Sequence, residues 1–167
     1  SSKVLEYLLI KARKIGLSPV GLSFHVGSQQ LSKTTWEKAI RTSSQIYKKF
    51  KKKYFELSFL NIGGGMPANY DNKKIDFKGY AENILNLINK YYDEAIPENI
   101  IAEPGRFIVA NAGVLESEVV LIKGKEDIRW LYLDVGRYSG LAETEGEAIK
   151  YKIKPSKKNN AQKVKYI

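Results

Sequence analysis

At 167 residues, with 43% hydrophobic and 28% charged side chains, the chain has the composition of an ordinary globular protein and enough length for one domain with a real core. The absence of cysteine and the single histidine, His25, exclude a disulfide scaffold, thiolate metal sites and any multi-histidine zinc site within it, so no metal is expected. The net charge of +10 raises nucleic acid as a partner, but much of the excess lies in Lys48, Lys49, Lys51, Lys52, Lys53 and the tail from Lys150 to Lys165, without a nucleic-acid motif, and reads as solvated faces.

No run approaches the ~20 apolar residues of a spanning helix, and the N-terminus lacks the order of a signal peptide. Neither nucleic acid nor membrane is expected as a partner, and a cytoplasmic location is the expectation. In chain order, Val4, Leu5, Leu8, Leu9, Ala12 and Ile15 repeat at helical spacing, with Gly16 as the stop. "SPVGLSFHVGSQ" reads as a loop rising into a buried strand that ends at His25. Thr34 and Glu37 make a capping box ahead of a helix striped by Trp36, Ala39, Ile40, Ile46, Tyr47 and Phe50. "FELSFLNI" is a second strand. Asp76 is a candidate cap for a third helix striped by Tyr80, Ile84, Leu87, Ile88 and Tyr91, and "ENIIAEPGR" is a third strand.

Strand alternating with helix predicts parallel βαβ units. His25, Gly63 and Glu103 each end a strand and fall roughly 40 residues apart, the size of one unit of a (β/α)8 barrel. Beyond Arg106 the texture becomes β-rich: "GVLESEVVLIKGK" and "EDIRWLYLDVG" read as strands separated by a turn at Gly124, and the polar "KPSKKNNAQKVKYI" ends on what could open another strand. The expected fold class is α/β: part of a TIM-type barrel over 1–112, then the start of a truncated C-terminal β-domain over 113–167. Three and a half βα units do not close eight strands, so the chain reads as an internal fragment of a longer protein.

Three consecutive glycines, Gly63, Gly64 and Gly65, follow the second strand. Bare backbone there lets N–H groups approach an anion such as a phosphate; a tight turn explains the same residues as well. One unit later "EPGR" sets Glu103, Gly105 and Arg106 at the next strand end, where an arginine beside a glycine suits a phosphate. Alone, Glu103 and Arg106 would be a surface salt bridge worth under ~1 kcal/mol. His25 would face the same mouth, although a lone histidine is more often structural.

"SFHVGSQ", "NIGGGMP" and "AEPGRFIV", in this order and spacing, resemble the fold-type III pyridoxal-phosphate decarboxylases of basic amino acids, an alanine racemase-like barrel fold. The resemblance covers nearly the whole chain. "LYLDVGRYSGLAETEGEAIKY" further resembles the bacterial ornithine, or lysine/ornithine, decarboxylase branch. The resemblance implies the second half of the barrel, pyridoxal 5'-phosphate as cofactor and a small basic amino acid as substrate. By it, His25 would stack on the pyridine ring, Ser28 with Gly63, Gly64 and Gly65 would hold the phosphate, and Gly105 with Arg106 would complete that site. Glu103 would pair with the pyridine nitrogen. A carboxylate there keeps the nitrogen protonated, which makes the ring a strong sink for the electron pair left as CO2 departs. A racemase of the same fold is expected to carry arginine instead, so Glu103 favours decarboxylation, with L-ornithine to putrescine as the leading reaction.

The family's cofactor-bearing lysine, in a motif resembling Val-Lys-Ala-Asn, is not present, and its Gly-Pro-Thr-Cys-Asp motif, which crosses a dimer interface, would be expected just beyond Ile167. A homodimer is thereby implied for the longer protein, and no turnover for the fragment. Where the bacterial pattern resembles Glu-Thr-Met-Asp-Glu-Ala, this chain has Glu143, Thr144, Glu145, Gly146, Glu147 and Ala148. Recognition of the distal amine falls to Glu143 or Glu145, or the segment is a solvated acidic loop. Lysine, arginine, diaminopimelate or carboxynorspermidine decarboxylation, or a non-catalytic binding homologue, remain alternatives.

Overall fold

The computed structural model describes residues 2–54, 57–70, 75–125, 128–147 and 149–156. The chain divides into two compact units, one of Ser1–Asn69 with Lys74–Ala110 and one of Tyr70–Lys73 with Asn111–Ile167. In the first, α1 (Ser2–Lys14), β1 (Gly21–Ser23), α2 (Lys33–Tyr54), β2 (Phe59–Asn61), α3 (Phe77–Tyr92), β3 (Asn99–Ile101) and α4 (Gly105–Val109) follow one another. The three strands form one parallel sheet in chain order, with Ser23, Asn61 and Ile101 in a single row. Helices between consecutive parallel strands are the predicted βαβ arrangement.

Local chemistry sets the element ends. Gly16 takes φ +83° after α1, and the N–H groups of Gly16 and Leu17 fold back on the Arg13 and Ala12 carbonyls at 3.0 and 2.9 Å. Asp76 caps α3 as expected, its carboxylate accepting the Gly79 N–H at 3.1 Å. The start of α2 differs from the expected capping box. Ser32 Oγ accepts the Thr35 N–H at 3.2 Å, so Ser32 is the cap and Thr34 lies inside the first turn. Glu37 is drawn away to α3, where its carboxylate takes the Tyr91 hydroxyl and the Lys90 ammonium. Those two donors, Tyr91 foremost, hold its carboxyl below the usual carboxylate range.

The stripes predicted for α2 and α3 meet over β2. Trp36, Ile40, Tyr47 and Phe50 from α2, Leu57, Leu60 and Ile62 from the β2 segment, and Ile84, Ile88 and Tyr92 from α3 make the core, joined by Leu9 and Leu22. Buried polar atoms find partners inside it. The Trp36 indole N–H donates to Tyr80 Oη at 2.7 Å, and the Tyr80 hydroxyl donates to the Gln30 carbonyl at 3.0 Å, tying the core to the loop after β1. The Tyr92 hydroxyl donates to Ser43 Oγ at 2.9 Å.

Burial pushes the Tyr92 hydroxyl up to about 12 from an ordinary value of 10.0. Folding therefore favours its protonated form, so this contribution is whole below pH 10 and is lost as pH rises towards 12. Tyr92→Phe should flatten the alkaline fall in unfolding temperature while costing about 1 kcal/mol at neutral pH for the lost hydrogen bond. An alkaline slope the same as that of the unsubstituted protein, in thermal melts from neutral to pH 12, would contradict it.

The second unit holds an antiparallel hairpin of β4 (Val119–Lys125) and β5 (Ile128–Leu133). Gly124 does not make the turn, contrary to expectation: it lies within β4 opposite Arg129, and Lys125 beyond it still pairs with Ile128. A 3-10 turn, Arg137–Ser139, follows, and then Ala142–Glu147, whose helical path is broken by a kink at Glu145 and Gly146. Phe55, Glu56 and Ala148 lie outside the described residues, as does the strand anticipated towards residue 167. Among the described residues no helix is long and apolar enough to cross a membrane, and no cluster of His, Cys, Asp or Glu could hold a metal ion.

Candidate functional site

Because the three strands are parallel and in register, their C-terminal ends open on one side, where loops of α/β sheets carry chemistry. The ladder runs past the nominal strand ends: the Phe24 N–H bonds to the Asn61 carbonyl at 3.1 Å, Ile62 to Ile101 at 2.9 Å and Glu103 to Gly63 at 2.9 Å. His25, Gly63 and Glu103 consequently lie just past that row, each two residues along the chain from Ser23, Asn61 and Ile101.

The middle strand end binds both neighbours. Gly64 N–H donates to His25 Nδ1 at 3.3 Å, so a neutral His25 ring carries its proton on Nε2. On the other side Asn61 Nδ2 donates to Glu103 Oε1 at 2.6 Å, while Asn61 Oδ1 accepts the Gly63 N–H at 2.8 Å. The His25 and Glu103 side chains are otherwise exposed, whereas Gly63 and Gly64 beneath them are buried.

The glycine run has a packing reason besides any ligand. Gly63 and Gly65 take φ +69° and +94°. A Cβ at Gly63 would overlap the Phe24 carbonyl oxygen, one at Gly65 the Gly27 carbonyl oxygen, and one at Gly64 would stand 2.7 Å from the Glu103 carbonyl oxygen. Bare backbone is thus needed for the three strand-end loops to touch. Two of the three N–H groups, those of Gly63 and Gly64, bond within the protein.

Ser28 lies exposed between two ties to the glycine loop: the Gly27 carbonyl against Gly65, and the Gln30 N–H on the Gly65 carbonyl at 2.9 Å. Gln29 adds a third. Held at φ +52°, its carboxamide accepts the Ala68 N–H at 2.6 Å and donates to the Ala68 carbonyl at 3.0 Å. That reciprocal pair compensates a backbone conformation costing about 1–2 kcal/mol. Gly105 opens α4 with its Cβ direction in empty space, nothing lying within 4 Å, and half-buried Arg106 follows.

His25, Gly63, Gly64, Gly65 and Glu103 are therefore brought together by direct bonds and close approach, with Ser28 on one adjoining loop and Gly105 and Arg106 on the other. Glu143 and Glu145 belong to the second unit, where Glu145 pairs with the Arg137 guanidinium at 2.5 Å, both side chains more than half exposed. Asn61 and Gln29 carry no motif of their own in the sequence; the one available signal was a carboxamide at the end of a buried strand. An imidazole face, a carboxylate, glycine backbone with open space at Gly105, and an arginine suit a flat heteroaromatic ring bearing an anionic group.

A family model described as "Pyridoxal-dependent decarboxylase, pyridoxal binding domain" matches residues 2–110. Diaminopimelate decarboxylase of Helicobacter pylori is 33% identical over 135 residues, covering 80% of this chain and 32% of that protein. Lysine/ornithine decarboxylase of Selenomonas ruminantium is 33% identical over 132 residues, covering 78% and 33%. Among solved structures, lysine/ornithine decarboxylase of Vibrio vulnificus complexed with putrescine aligns with a TM-score of 0.73 at 28% identity, over 91% of this chain and 41% of that one. The chain spans about a third of the length of the curated relatives it matches.

Proposed function

The chain belongs to the pyridoxal-dependent decarboxylases, and on that premise we propose that its parent enzyme removes CO2 from a basic L-amino acid, ornithine giving putrescine. The observation that carries this reading is the meeting of His25, the glycine run and Glu103 at adjacent ends of parallel strands. In this reading residues 1–112 are the second half of a (β/α)8 barrel, and residues 113–167 begin a C-terminal β-domain. The parent works as a cytoplasmic homodimer.

Pyridoxal phosphate, when bound, supplies an electron sink for the pair released as the carboxylate leaves. The residues of this chain would hold and tune it. His25 offers its ring face. Ser28, the Gly65 and Gly105 backbone and Arg106 would receive the phosphate, since Gly63 and Gly64 already spend their N–H groups on Asn61 and His25. Glu103 would keep a proton on the ring nitrogen. The ornithine preference rests on the segment from Leu131 to Tyr151; diaminopimelate and lysine remain close competitors, because both relatives are 33% identical.

The test is CO2 release by the purified, cofactor-loaded parent from ornithine, lysine, arginine and diaminopimelate. Ornithine should give the highest kcat/KM. Release from none of the four would overturn the reading. In the same enzyme Arg106→Ala should weaken cofactor binding by about 2–3 kcal/mol, the scale of a charge-assisted contact to a dianion. Unchanged affinity in an absorbance titration would remove Arg106 from the phosphate site.

A further inference from the structure

Asn61, the last residue of β2, uses both ends of its carboxamide. The Gly63 N–H can only donate, so it must face Oδ1, at 2.8 Å. That bond fixes the orientation of the amide and turns its NH2 group towards Glu103, where Nδ2 meets Oε1 at 2.6 Å. A carboxylate can accept there and an amide oxygen could not donate, so the contact exists only in this orientation. Glu103 is exposed and has three rotatable side-chain bonds; left to itself it would sample several rotamers.

We propose that Asn61 is a positioning residue: the first turn of the glycine run aims its amide, and the amide in turn locks one oxygen of Glu103 so that the other is presented at the strand ends. This rests on the reading of Glu103 as the partner of the cofactor nitrogen. A carboxylate held beforehand costs no ordering when charge develops, which is where a preset group contributes to rate. The glycine run thereby acts on the reaction through Asn61 as well as through any ligand contact.

The decisive variant is Asn61→Ser in the full-length, cofactor-loaded enzyme. A serine hydroxyl can still accept the Gly63 N–H in a short local turn, but it is too short to reach Glu103. Unfolding temperature should stay within a few degrees of the unsubstituted enzyme, kcat should fall about tenfold and the cofactor dissociation constant should rise severalfold. In a Glu103→Ala background, where nothing remains to be aimed, the same substitution should change either quantity by less than about twofold. Equal losses in both backgrounds, or no loss beside an intact Glu103, would overturn the positioning role and leave the role of Glu103 standing. A Glu103→Ala enzyme with normal turnover and cofactor affinity would instead overturn the reading of Glu103, and the inference with it.

Discussion

Glu103→Gln in the parent enzyme should leave cofactor affinity within a few-fold of normal and lower the rate of CO2 release by about two orders of magnitude or more, because a neutral amide cannot hold a proton on the ring nitrogen and the electron sink weakens. The substitution isolates charge from placement. A glutamine Oε1 can accept from Asn61 Nδ2 just as the carboxylate does at 2.6 Å, so the side chain keeps its anchor. If Glu103 served only as an ion-pair partner on an exposed surface, its neutralisation would cost at most ~1 kcal/mol of stability and leave turnover nearly normal. Single-turnover measurement on cofactor-saturated enzyme separates the two: release at close to the unsubstituted rate would sink the assignment, and with it the chemical ground for a decarboxylase over a racemase.

The sequence made the order of elements legible wherever periodicity and a cap agreed. Asp76 capped the stripe of Tyr80, Ile84 and Ile88 at the expected place, and the roughly 40-residue spacing of His25, Gly63 and Glu103 put each of them just past one end of a parallel sheet, beyond the row of Ser23, Asn61 and Ile101. The cap of α2 was misplaced because "SKTTWE" offers several hydroxyls, and the pattern that fits a capping box loses its glutamate to Tyr91 and Lys90, residues distant in the chain. Gly124 looked like a turn and proved to be a strand residue, since glycine in a hairpin also tolerates the twist of a paired strand. In the site, the residue types were readable and their bonding was not. Asn61 looks like any polar strand end until Gly63 and Glu103 are seen to take one end of its carboxamide each.

Two glycine substitutions should part what the sequence left joined, backbone packing and ligand contact. Gly63→Ala adds a Cβ at φ +69°, for about 1–2 kcal/mol of left-handed strain, and drives it into the Phe24 carbonyl oxygen. Overpacking of a buried backbone adds about 1–3 kcal/mol more. The displaced strand end leads directly to His25, so cofactor binding should fall together with a drop in unfolding temperature. Gly105→Ala is the opposite case. Its Cβ meets nothing within 4 Å and its φ is not in the left-handed region, and alanine suits the first turn of α4 better than glycine. The apo protein should therefore melt at the same temperature or slightly higher. If a phosphate comes up against this backbone, the same methyl stands in its way, and cofactor affinity should drop at least about tenfold, or 1.4 kcal/mol, with no loss of stability. Normal cofactor affinity in Gly105→Ala would mean that the open space beside Gly105 is solvent and that the phosphate lies elsewhere; a Gly63→Ala protein as stable as the unsubstituted one would mean that the strand-end loops do not need the close approach seen between Gly63 and Phe24.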